Sequence, residues 1–137
     1  MKKRCDCGDT KQLHLRTVIY ARKVNITRVP VYSCSGCGSS EVYTGVKDDI
    51  GKLIGQLGAK PVPRTIPFDQ VNELAGVLSL ALAAGEDSLR ERDVAQAAEQ
   101  RTNDLLDLWL IAASLGDEQW KSELQGRLSQ LRVPYIS

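Results

Sequence analysis

The chain has 137 residues, 42% of them hydrophobic and 26% charged, with a formal net charge of +1. That composition excludes a disordered or collagen-like chain, and the length suits one ordinary domain or a small module joined to a modest helical one. The longest apolar run, VLSLALAAG at 77–85, is too short to cross a bilayer, which takes about 20 residues. No membrane role is expected.

The opening MKKRCDCGDT is basic but lacks the apolar stretch of a signal peptide, so a cytoplasmic location is the default expectation. All four cysteines fall in two stretches, CDCGDT at 5–10 and CSGCGSS at 34–40, and a glycine, Gly8 or Gly38, follows each pair. Between them, residues 13–34 are rich in Val, Ile, Thr and Tyr, which suit a pleated surface. Strands are expected near 13–21 and 24–33, with a turn at ARKV (21–24) and a short third strand in SEVYTG. Pro30 then has to lie on an edge or at a bulge.

In VKDDIGKLIGQLG, Val46, Ile50, Leu53, Ile54 and Leu57 form one helical stripe. Asp48 and Asp49 are expected in its first turn, and Gly58 is its expected stop. AKPVPRTIP at 59–67 holds three prolines and reads as a stiff, extended linker.

From Phe68 onward the pattern is helical. A first helix is expected to reach Gly85, with Asp69 as its cap and Val71, Leu74, Val77, Leu78, Ala81 and Leu82 on its apolar side. Ser88 and Glu91 make a capping box for the next helix, which runs to Gly116 with a weak point near 101–103. Its LLDLWLIAA block is expected to be the most buried element, with Trp109 in the core. Asp117 caps a last helix with Trp120, Leu124, Leu128 and Leu131 on one face. The fold class is therefore α+β: a small zinc-bound β-hairpin module at 1–58, a Pro-rich linker at 59–67, and an α-helical bundle at 68–137.

Three chemistries are open to the cysteines: metal binding, thiol redox work and disulfide cross-linking. A cytosolic chain disfavours persistent disulfides. A redox dithiol calls for a lone, activated pair, whereas here both pairs precede glycine turns beside strands. Tetrahedral Zn²⁺ takes four ligands, and two tight turns joined by paired strands deliver them. The expected ligands are Cys5, Cys7, Cys34 and Cys37. Four thiolates leave no position open for water, so the zinc would be structural. The first pair, C-x-C, is one residue shorter than the second, C-x-x-C.

The two knuckles, the hairpin and the run VNITRVPVYSCSGCG make residues 1–58 resemble the YgiT-type zinc finger, the N-terminal zinc domain of MqsA-like antitoxins. The resemblance implies zinc on the same four cysteines. Family members with a following helix-turn-helix domain bind DNA as dimers, and some neutralise an RNA-cleaving toxin. Residues 68–137 show long helices rather than that arrangement.

His14, the one histidine, reads as a surface strand residue rather than a ligand or base, and no Ser-His-Asp set can be assembled. The adjacent carboxylates Glu86 and Asp87 are expected to point to different faces. Residues 1–45 carry eight Lys/Arg against three Asp/Glu, and residues 46–137 carry ten against fourteen. The basic hairpin, with Tyr20 and Tyr32 for stacking, makes nucleic acid a conceivable partner, but without a dense basic run it is not favoured. The expectation is a small non-enzymatic bacterial regulatory or adaptor protein with a protein partner, a second copy of itself among the candidates. The alternative is a DNA-binding antitoxin or transcriptional regulator of a toxin–antitoxin type system.

Overall fold

The structure is a computed structural model and describes residues 1–85 and 89–131. It is α+β, as expected. Strands β1 (Lys2–Arg4), β2 (Thr10–Tyr20), β3 (Val24–Cys34) and β4 (Ser40–Val42) form an antiparallel sheet in that order. Helix α1 (Thr44–Leu57) follows, then strand β5 (Arg64–Pro67), and then helices α2 (Phe68–Val71), α3 (Glu73–Gly85), α4 (Glu91–Ser114) and α5 (Glu118–Ser129).

The β2–β3 hairpin lies within a few residues of its expected place. Its tip is a tight turn in which Lys23 N–H donates to Tyr20 O at 3.1 Å. Ala21 and Arg22 occupy it at φ of 53° and 59°, both left-handed as at the centre of a type I′ turn, within a three-residue loop between the paired Tyr20 and Val24. Neither is glycine or asparagine, which is why the turn lacked a sequence signature.

Strand β3 is the centre of the sheet, and its apolar phase changes along its length. Val24 and Ile26 are buried with Asn25 exposed between them; beyond Arg28, Val29 and Val31 are buried. Pro30 and Tyr32 are buried too, so this half of the strand is covered on both faces. Between the halves one extra residue is accommodated: Arg16 pairs with Val29 and Val18 with Ile26, leaving Thr17 opposite both Thr27 and Arg28. This bulge puts Arg28 at φ 58°. Pro30 lies two residues further on, in the central strand rather than on an edge. Its carbonyl accepts from Tyr43 N–H at 2.9 Å, beyond the last β4 pair, Val31 with Val42. A strand residue aims its N–H and C=O to the same side, so the donor proline lacks would fall where that ladder has stopped.

The second half of the expected linker is a strand. β5 pairs in parallel with the first half of β3, Val24 opposite Arg64 through Thr27 opposite Pro67. One buried cluster then runs from the sheet (Leu13, Val24, Ile26, Val29, Ile66) through Val46 and Ile50 of α1 to Phe68, Leu74, Leu78, Leu105 and Leu124. Each such side chain contributes about 1.5–3 kcal/mol by leaving water.

Helix α1 begins earlier than expected, so Asp48 and Asp49 lie past its first turn. Asp49 Oδ2 instead accepts from Asn72 Nδ2 at 2.8 Å. Its stop, Gly58, has φ 76° as expected. The expected helix from 68 breaks at Asn72, whose Oδ1 accepts from Ala75 N–H at 2.9 Å and so caps α3 in place of Asp69. Helix α4 runs unbroken through 101–103. Ser88, half of the expected capping box, lies outside the described residues, as do Glu86 and Asp87. Asp93 Oδ2 accepts from Arg90 N–H at 3.0 Å at that helix start. Asp117 caps α5 as expected, accepting from Trp120 N–H at 3.0 Å.

The LLDLWLIAA block is a correction. Leu105 and Ala112 are buried, Trp109 is half-buried, and Leu106, Leu108, Leu110, Ile111 and neighbouring Leu115 are exposed. Among the described residues too few elements pack on α4 to cover more than one of its sides, so the apolar remainder faces outward.

Candidate metal centre

Two turns at one end of the sheet carry the cysteines. The β1–β2 turn bears Cys5 and Cys7, and the β3–β4 turn bears Cys34 and Cys37. Strand β1, the charged triplet KKR, had no apolar pattern to announce it, yet it makes the first knuckle a hairpin turn like the second. The pairing of Lys11 with Cys34 draws the two turns together.

The backbone explains how knuckles of unequal length present the same thing. In the first, Cys5 N–H donates to Asp9 O at 2.8 Å and Gly8 N–H to Cys5 O at 3.0 Å. In the second, Cys34 N–H donates to Ser39 O at 2.9 Å and Gly38 N–H to Cys34 O at 3.0 Å. The bonds correspond one for one, each loop in the second being one residue longer. Gly8 and Gly38 sit at φ 95° and 74°, the left-handed region that favours glycine. The short C-x-C is thus a knuckle closed by a four-residue turn instead of a five-residue one. The two also interlock: a Cβ on Gly36 would meet Asp9 Oδ2 at 2.5 Å.

All four Sγ atoms lie within 4.8 Å of one another. Cys5 and Cys37 are 3.6 Å apart, as are Cys7 and Cys34. Four sulfurs held 2.3 Å from one centre at tetrahedral angles stand about 3.8 Å apart, so the cluster has the size of a four-thiolate metal site. A disulfide needs about 2.05 Å, and all four cysteines are free. Cys5 and Cys34 are buried, whereas Cys7 and Cys37 lie at the open side.

The thiols are not equivalent. The Ser39 hydroxyl, then the Ser39 backbone N–H, holds Cys37 down to about 6. The Cys7 backbone N–H, then the Ser39 hydroxyl, draws Cys5 below the ordinary thiol range. The Asp9 backbone N–H favours the Cys7 thiolate, but the neighbouring thiols Cys5, Cys34 and Cys37 outweigh it and push Cys7 up to about 12. Four thiolates this close need a cation to hold them all ionised, and that is what a divalent metal supplies. Ser39 Oγ, 3.1 Å from Cys37 Sγ and 3.5 Å from Cys5 Sγ, is placed to orient these sulfurs. Its only sequence signal is a hydroxyl two residues after the last cysteine.

His14 is not part of this donor set. The stacking candidates are engaged elsewhere. Tyr20 Oη donates to Gly58 O at 2.6 Å. Tyr32 is buried edge-on to Tyr43, ring centroids 6.1 Å apart, and burial, then Glu91 and Glu41, pushes its hydroxyl up to about 12.

No family model, no curated protein and no solved structure matches the chain. No helix among the described residues is long and apolar enough to cross a membrane.

Proposed function

We propose that the protein is a non-enzymatic, cytoplasmic regulatory or adaptor protein. In this reading residues 1–58 are a YgiT-type zinc-finger module, and structural Zn²⁺ is held by Cys5, Cys7, Cys34 and Cys37. Four thiolates complete a tetrahedral shell, so the ion fixes the two knuckles and activates no water. Action then lies in protein–protein contact.

The observation that carries this reading is the outward apolar side of α4. Leu106 and Leu110 form one flank at i, i+4; Leu108, Ile111 and Leu115 form another at i, i+3, i+7. Leu110 and Leu115 are 60% and 69% exposed. At about 100° per residue Asp107 and Ser114 fall between the two flanks, so these are two separate exposed apolar stripes, the broader one formed by Leu108, Ile111 and Leu115. Residues 91–131 carry eight Asp/Glu against four Lys/Arg, so a basic amphipathic helix fits by charge, whereas a second copy would be held by the apolar contact alone. The same acidity disfavours a polyanion, which counts against the DNA-binding antitoxin alternative.

The test is metal content together with light scattering of the full chain and of Leu110→Asp. One zinc per chain and a dimer or partner complex lost in Leu110→Asp are expected. Absence of zinc overturns the metal reading. A promoter DNA complex that weakens steeply with salt and survives Leu110→Asp overturns the adaptor reading.

A further inference from the structure

A second site lies away from the cysteines, where α3 crosses the bulge. A cleft of about 470 Å³ is lined by His14, Leu15 and Arg16 of β2, Arg28 of β3, and Ser79, Leu82 and Ala83 of α3. Its volume falls in the range of small-ligand sites.

The bulge is what builds it. Arg28 holds φ 58° inside a strand, a conformation that disfavours every residue with a Cβ and that glycine adopts without penalty. Such outliers gather where the side chain has work to do, and bulges re-aim side chains beside functional clefts. Here an arginine stands where a glycine would relieve the backbone, and that arginine lines the cleft. One of its donors reaches Asp69 Oδ2 at 3.3 Å, and its side chain stays 61% exposed. Four other N–H donors remain on that group. Arg16 lines the same cleft from the adjoining strand and has no ion pair among the described residues.

We propose that this cleft binds a small phosphomonoester with an apolar body. Arg16 and Arg28 take the phosphate, and Leu15, Leu82 and Ala83 take the body. A carboxylate is saturated by one guanidinium fork, whereas a phosphate monoester offers three oxygens and nearly two negative charges to two forks. The apolar wall favours an organic phosphate over inorganic phosphate. The modest volume and the acidic helical half favour a small molecule over a nucleic-acid strand. This site is independent of the cysteine cluster and of the α4 face.

The test is calorimetric titration of the metal-loaded full chain at low salt with phenyl phosphate, inorganic phosphate and benzoate. Phenyl phosphate is expected to saturate one site, with inorganic phosphate and benzoate each at least about tenfold weaker. Arg16→Gln, at an exposed position, is expected to keep the melting temperature and lose at least about tenfold in affinity. Arg28→Gly is expected to melt no lower than the wild type, because glycine suits the bulge, and to lose binding equally. The proposal is overturned by any of three results: no saturable binding of phenyl phosphate, benzoate binding as tightly, or unchanged affinity in a folded Arg16→Gln.

Discussion

Glu73 opens α3, and its carboxylate joins three helices. It accepts from Arg101 Nη1 of α4 at 2.7 Å and from Arg127 Nε of α5, while its backbone N–H donates to Gln130 Oε1 at 2.9 Å. Glu73→Gln removes the charge and keeps the shape. The carboxylate is only 11% exposed, but Arg101 and Arg127 are 30% and 47% exposed. An exposed pair is worth about 0–1 kcal/mol, and breaking a fully buried one costs about 3–5 kcal/mol. Here the anion is buried and both cations remain partly hydrated, so the loss should fall between, at about 2 kcal/mol. For a chain of this size that corresponds to a melting temperature lower by about 8 °C and a urea midpoint lower by about 1 M. Salt separates the two limits, because screening weakens exposed pairs far more than buried ones. Thermal and urea unfolding of both proteins, at low salt and in 0.5 M salt, make the measurement. A difference below about 0.5 kcal/mol, or one that vanishes in salt, refutes the view that Glu73 ties the bundle together.

Other outcomes follow from the same geometry. Ser39→Ala should weaken metal binding about 10–100-fold without changing the metal content at saturation, as read by competition with a chromophoric chelator. Ala21→Asn with Arg22→Gly should raise stability by about 1 kcal/mol, because both positions are left-handed and the pair suits that turn; an unchanged or lower urea midpoint would contradict the turn. Lys3 holds the Glu41 carboxyl below its ordinary 4.5 by hydrogen bonding and charge. The stabilisation from a depressed carboxyl is complete above the ordinary value and lost as pH falls through the lower, folded one. An NMR titration should therefore place Glu41 below 4.5, and Lys3→Met should return it toward that value.

The hairpin, the first long helix and the cysteine cluster were legible because each leaves a local mark. Val24, Ile26, Val29 and Val31 suit a strand, Val46 and Ile50 repeat at helical spacing, and a glycine follows each cysteine pair. The bulge left no such mark, because beyond Arg28 the run from Val29 to Tyr32 is buried at even and odd positions alike. Strand β5 was hidden because RTIP has no alternation and its partner lies 40 residues back in the chain. Asn72 and Asp69 are both cap residues, and only the break in the helix separates them. The exposed leucines of α4 mark the limit of periodicity: it reports which residues are apolar, not how many neighbours the rest of the chain provides.

The parallel pairing of β5 with β3 has a consequence for how the protein is made. During synthesis Val24–Thr27 leaves the ribosome well before Arg64–Pro67, the segment that completes it. At about 5–20 residues per second, a gap of 40 residues lasts about 2–8 s. For that time four backbone units of the nascent sheet have no partner on one side, and they invite pairing with another chain. A fragment ending at residue 58 would hold that state permanently. The metal-bearing half, cut out as an independent unit, should therefore be sticky even when fully loaded, and a soluble truncation should extend through Pro67.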